Sequence, residues 1–99
     1  MLLMLTQTYP TKSVAAVAKV GMEVLAKAPP PHVKRLGVYI TPGSDGMKSY
    51  TLYEIEKGHV DEGFKELNKN LVAFFKIEGW KYTVEPLLTV EEAVPMLGL

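Results

Sequence analysis

Apolar and polar positions change their spacing several times along the chain, and each change marks an element. Leu2 to Tyr9 opens apolar, continues through Thr6-Gln7-Thr8 and stops at Pro10, which predicts a strand. Val14, Val17, Gly21, Val24, Leu25 and Ala28 then recur at helical spacing, while Lys19, Glu23 and Lys27 form an i,i+4 ladder on the opposite face. This predicts an amphipathic helix of about 17 residues, roughly 25 Å long, a length suited to packing across a strand. Thr11 or Ser13 is placed to cap it, and Pro29-Pro30-Pro31 ends it.

Leu36 to Thr41 reads as a second strand, with Val38 and Ile40 on one face and Tyr39 and Thr41 on the other. Pro42-Gly43-Ser44-Asp45-Gly46 is dense in turn formers, and Lys48 to Glu56 resumes an extended pattern, so a hairpin is predicted. A second helix is signalled by the stripe Val60, Phe64, Leu67, Leu71, Phe74 and Phe75, with Asp61 and Glu62 suited to its N-terminal dipole and Gly79 as its stop. Trp80 to Leu88 is a last strand, alternating Trp80, Tyr82 and Val84 against Lys81, Thr83 and Glu85. Thr89-Val90-Glu91-Glu92 has the form of a capping box, so a short helix limited by Pro95 should follow, and the apolar tail Val94, Met96, Leu97 and Leu99 must cover something.

The order β-α-β-β-α-β predicts an α+β fold of the ferredoxin-like kind: a four-stranded antiparallel sheet with two helices on one face and a short C-terminal helix. Right-handed crossovers place the first and third strands centrally. Pro42 and Pro86 fit edge strands, where a missing amide breaks no ladder bond.

The chain has 99 residues, 11 basic and 11 acidic side chains, and no cysteine. That length suits one domain over residues 1–99, with a core over 1–88 and the short helix and tail over 89–99. Balanced charge supplies neither a basic footprint for a phosphate backbone nor a polybasic patch for anionic lipid, so neither nucleic acid nor a membrane is an expected partner. Without cysteine there is no disulfide framework, thiolate zinc or thiol nucleophile. The opening run Met1-Leu2-Leu3-Met4-Leu5 lacks the positive n-region and the apolar length of a signal peptide, so a cytoplasmic protein is expected.

Candidate chemistry is sparse. His32 follows three prolines and His59 precedes a helix, where a functional reading would pair it with Asp61 or Glu62 as a metal or acid-base cluster, although acids are expected at a helix start anyway; with no second histidine at ligand spacing, no metal and no cofactor are expected. Gly43-Ser44-Asp45-Gly46-Met47-Lys48-Ser49 lacks the spacing of a phosphate loop and leads into a strand. RNA-recognition domains share this strand order, but they need aromatics flanked by basic residues on both central strands, and the first strand has no aromatic before Tyr9. Lys12 alone after the first strand is weak support for acyl-phosphate chemistry.

The open face is the most informative feature. A lone sheet with helices on one side should be polar on the other, as the last strand is at Lys81, Thr83 and Glu85. The first strand instead carries Leu2 and Met4 on one face and Leu3 and Leu5 on the other. The third carries Tyr50 and Leu52 against Tyr53 and Ile55. The spacing leaves open which pair of the first strand meets the helices. An apolar stripe on an uncovered face calls for a partner.

In this respect the chain resembles the dimeric α+β barrel superfamily, in which two ferredoxin-like subunits pack sheet against sheet. The resemblance spans Leu2 to Leu88 and is one of pattern; it is greatest with the small, functionally uncharacterised members. It implies a homodimer formed through the open sheet face. Relatives include cofactor-independent monooxygenases, muconolactone-isomerase-like enzymes and haem-dependent proteins, which place a pocket between sheet and helices. No motif here matches any of those groups residue by residue, so no catalytic residue is carried over and whether the protein is an enzyme stays open. The expectation is a small, mainly apolar ligand, with Gln7, Tyr39 and Tyr53 as the lining groups able to orient it. The alternative is a non-catalytic interaction or regulatory module that uses the apolar sheet face and the C-terminal tail.

Overall fold

The computed structural model describes residues 1–98. Four strands, β1 (Leu2–Pro10), β2 (Val33–Gly43), β3 (Gly46–Ile55) and β4 (Lys81–Leu87), alternate with helices α1 (Val14–Ala26) and α2 (Val60–Leu71), and α3 (Val90–Met96) follows β4. The sheet order is β2-β3-β1-β4 and every pairing is antiparallel, so the predicted βαββαβ arrangement is the one observed. Pro42 and Pro86 lie in β2 and β4, the two edge strands, as their missing amides require.

Register settles the phase of β1. Leu3 and Leu5 pair with Tyr53 and Thr51 on the helix side and are buried, while Leu2 and Met4 face the other way beside Glu54 and Leu52. The core is formed by Leu3, Leu5, Tyr9, Tyr53 and Ile55 from the sheet, Val17 from α1, Leu67 and Leu71 from α2, and Phe74 from the 3₁₀ turn Val72–Phe74. Leu3 and Ile55 are each only 1% exposed.

Four details differ from the sequence reading. Neither Thr11 nor Ser13 caps α1 through its side chain; the Ser13 hydroxyl donates to the Glu78 carbonyl at 2.6 Å and ties the start of α1 to the turn before β4. Helix α1 ends at Ala26: Lys27 is already extended, and Ala28 precedes a proline, which disfavours the helical conformation. On α2 the buried row is Gly63, Leu67 and Leu71, continued by Phe74, whereas Phe64 and Phe75 are exposed. The row is anchored by Gly63, whose missing side chain lets the helix approach Ile55 and Val33. Finally, β2 starts at Val33 and carries a bulge at Leu36, between Arg35 and Gly37.

The hairpin turns at Ser44-Asp45, with Gly43 paired to Gly46. Gly46 has φ +146°, and a Cβ there would collide with the Tyr9 carbonyl oxygen, so only glycine fits. Thr89 and Glu92 form the predicted capping box of α3: the Glu92 amide donates to Thr89 Oγ1 at 3.2 Å and the Thr89 amide to Glu92 Oε1 at 3.0 Å. Within the subunit the tail covers little. No residue of α3 is buried, and Met96 and Leu97 are 73% and 69% exposed; Leu99 lies outside the described residues. Among the described residues no helix is long and apolar enough to cross a membrane.

Candidate functional site

Helix α1 is thinly seated. Its stripe keeps only Val17 buried, and Gly21 meets nothing within 4 Å where a side chain would be. The space left between α1, α2 and the sheet is a cavity of about 270 Å³. Aliphatic and aromatic groups, among them Leu5, Val24, Leu67 and Phe74, form most of its wall. Met22, Leu25, Val38 and Ile40 also line it and are exposed, so the mouth opens between α1 and the helix side of the edge strand β2.

Polar groups reach the cavity from the central strands. Gln7 and Tyr9 come from β1, Ser49, Thr51 and Tyr53 from β3, and Asn70 from α2. Alternation explains the β1 and β3 set: odd-numbered residues of both strands share the helix side, and Gln7 pairs directly with Ser49. Gln7 is oriented by Trp80, whose indole Nε1 donates to Gln7 Oε1 at 2.8 Å. Indole nitrogen only donates, so the amide must present its oxygen there and keeps its NH₂ donors for other partners. Trp80 is itself held in an aromatic group, stacked on Phe74 with ring centroids 5.2 Å apart and on Tyr82 at 4.8 Å. Among the described residues lining the cavity there is no Asp, Glu, His, Lys or Arg.

Of the three residues singled out from the sequence, Gln7 and Tyr53 are brought together on the cavity wall. Tyr39 is not. It pairs with Tyr50 on the opposite face and is 61% exposed. Its ring covers Gly37 beside the bulge, where a Cβ would lie 2.7 Å from Tyr39 Cε2. Ser49 and Thr51 also line the cavity; the one signal for them in the chain is that their small polar side chains alternate with Tyr50 and Leu52 on a strand that reads as core. Lys12, the cation after β1, is engaged by Glu78 at 2.8 Å, and that hydrogen bond and charge hold the Glu78 carboxyl below its ordinary value.

A second grouping lies at the other end of the sheet, outside the cavity. Val33 pairs with Ile55, so His32 falls opposite Glu56, whose amide donates to the His32 carbonyl at 2.8 Å. The turn through Gly58, at φ +88°, brings His59 back over His32. The two imidazoles stack with centroids 3.6 Å apart and planes inclined by 7°. His32 Nδ1 lies 2.9 Å from Glu56 Oε2, and His59 Nδ1 lies 3.7 Å from Glu62 Oε1. The hydrogen bond from His32, and then its charge, lower the Glu56 carboxyl from its ordinary value. His32 and His59 read separately along the chain as a loop residue and a helix-start residue; only the register across β2 and β3 joins them.

No protein-family model, no curated protein and no solved structure matches the chain.

Proposed function

We propose that the protein binds a small, mainly apolar molecule in the cavity between sheet and helices, as a homodimer paired sheet to sheet in the manner of dimeric α+β barrels. The observation that carries this reading is the cavity itself, an apolar space of about 270 Å³ with Gln7, Ser49, Thr51 and Tyr53 converging from two adjacent strands. Ligand sites have this character: apolar walls, with a few polar groups that set orientation. A space of about 150 Å³ already holds a benzene ring, so a molecule larger than one ring fits here. Among the described residues the lining has no carboxylate, imidazole or cation, which supports binding of a neutral molecule. The stripe Leu2, Met4, Tyr50 and Leu52 on the open face supports the dimer, because a second copy would complete its burial isologously.

Indole and naphthalene serve as probes. Titration followed by heteronuclear NMR is expected to shift resonances of Gln7, Ser49, Thr51 and Tyr53. Ser49→Leu, which fills the space from the sheet side, is expected to abolish those shifts while leaving the protein folded. Saturating probe without any shift at these residues would refute the reading. A second reading, a non-catalytic interaction module, draws on the exposed Met96 and Leu97 of the tail. The Cα radius of gyration, 14.9 Å, also exceeds the about 13 Å of a compact chain of this length.

A further inference from the structure

We propose that His32, His59 and Glu62 form a binding site for a divalent transition-metal ion of the Zn²⁺ class, with Glu56 supporting His32 from behind. One ring nitrogen from each histidine and one carboxylate oxygen of Glu62 lie within 4.8 Å of one another. Ligand atoms around a tetrahedral ion with bonds of about 2.0–2.1 Å are roughly 3.3 Å apart, so the three have to close by about 1.5 Å at most. The closest approach to that spacing is already present. His59 Nδ1 and Glu62 Oε1 stand 3.7 Å apart, too far for a hydrogen bond and near the separation of two donors on one ion. His59 Nδ1 is also buried without a hydrogen-bond partner among the described residues, a state that buried polar atoms rarely keep.

The neighbouring groups complete the pattern. Glu56 occupies His32 Nδ1 at 2.9 Å, which favours the tautomer whose Nε2 lone pair is free to ligate. His32 has φ +67°, a left-handed conformation that histidine enters more readily than most side chains, and it is the only positive-φ non-glycine among the described residues. The bond from the Glu56 amide to the His32 carbonyl and the three preceding prolines hold it there. The stacked rings must each turn about χ2 to aim a lone pair at one ion, and that torsion is soft. The positive end of the α2 dipole opposes a cation; Asp61, Glu62 and Glu56, which carry whole negative charges, outweigh it.

Donor chemistry selects the ion. Two imidazoles and one carboxylate make a mixed nitrogen and oxygen set that suits zinc, nickel or copper, whereas calcium and magnesium require oxygen ligands throughout. A water would fill the fourth position, since Glu62 is well exposed. None of these residues lines the cavity, so the site stands or falls separately from the ligand reading.

Isothermal titration of the full chain with Zn²⁺ at neutral pH is expected to give one ion per chain with micromolar affinity. His32→Ala, His59→Ala and Glu62→Gln should each weaken binding at least tenfold. Glu56→Gln should also weaken it, as removal of a carboxylate behind a metal-bound histidine does, by about 10–100-fold. Wild-type protein that binds no Zn²⁺ below millimolar concentration, or binding unchanged in the His32→Ala/His59→Ala double variant, would overturn the proposal. A readout that needs no variant is NMR of the imidazole protons. Both histidines should shift together on Zn²⁺ addition, and movement of one alone would also overturn it.

Discussion

Gly21 and Gly63 both lie inside helices, and alanine at each should have opposite effects. In an open helix interior, replacing glycine by alanine contributes about 1 kcal/mol of stability through backbone entropy. Gly21 is such a site: a Cβ there meets nothing within 4 Å, so Gly21→Ala should realise the full gain. At Gly63 a Cβ would lie 2.7 Å from Ile55 Cγ2, 3.0 Å from Val33 Cγ2 and 3.3 Å from Ile55 Cδ1. Ile55 is 1% exposed and β-branched, so its methyl has nowhere to move. Overpacking of this kind costs about 1–3 kcal/mol, which offsets the helix gain and leaves Gly63→Ala less stable by about 1 kcal/mol. The two variants then differ by about 2 kcal/mol, or roughly 8–16 °C in Tm for a chain of this size. Thermal unfolding followed by circular dichroism at 222 nm reads the difference directly. If Gly63→Ala raised Tm as much as Gly21→Ala, α2 would not be seated on Ile55 and Val33, and the helix packing described above would be wrong.

Three further outcomes are expected. Leu67→Ala and Phe74→Ala should each cost about 2–5 kcal/mol in denaturant unfolding, since both side chains are buried against the sheet; a loss within about 0.5 kcal/mol would place them at the surface. Charging adjacent positions of β1 should separate association from folding: Met4→Lys on the open face is expected to yield a folded monomer by light scattering, while Leu5→Lys on the helix side should unfold the subunit. A wild type that is monomeric at micromolar concentration would refute the sheet-to-sheet dimer. The Glu78 carboxyl is held below its ordinary value of 4.5 by Lys12, so the stabilisation from this pair is present above that pH and is lost as pH falls through the lowered value. Tm of Glu78→Gln should therefore lie below wild type at neutral pH and converge with it in acid, and a constant gap at all pH values would exclude the pair as its source.

Local pattern is enough to settle the order and kind of the four strands and three α-helices, because periodicity, proline and caps act through near neighbours; the 3₁₀ turn at Val72–Phe74 is not legible in it. A stripe repeating every three to four residues makes Val14–Ala26 helical, and alternation makes Lys81–Leu87 a strand. Pro42 and Pro86 exclude β2 and β4 from the sheet centre, and Thr89 with Glu92 starts α3. Tertiary structure decided whatever depends on a partner strand. Leu3 rather than Met4 enters the core only because β1 lies between β3 and β4 with the helices on one side; alternation alone permits either face. Tyr39 lies in the strand that alternation predicts, yet it stands away from the cavity, since the side that holds a cavity is set by how α1 rests on the sheet. Gly37 in a strand hints at a bulge, but the shift of register at Leu36 shows only in the pairing with β3; it sets Val33 opposite Ile55 and so places His32 against Glu56 and His59. Two histidines that look unrelated along the chain become neighbours because strand register, a long-range property, acts where local pattern carries no information.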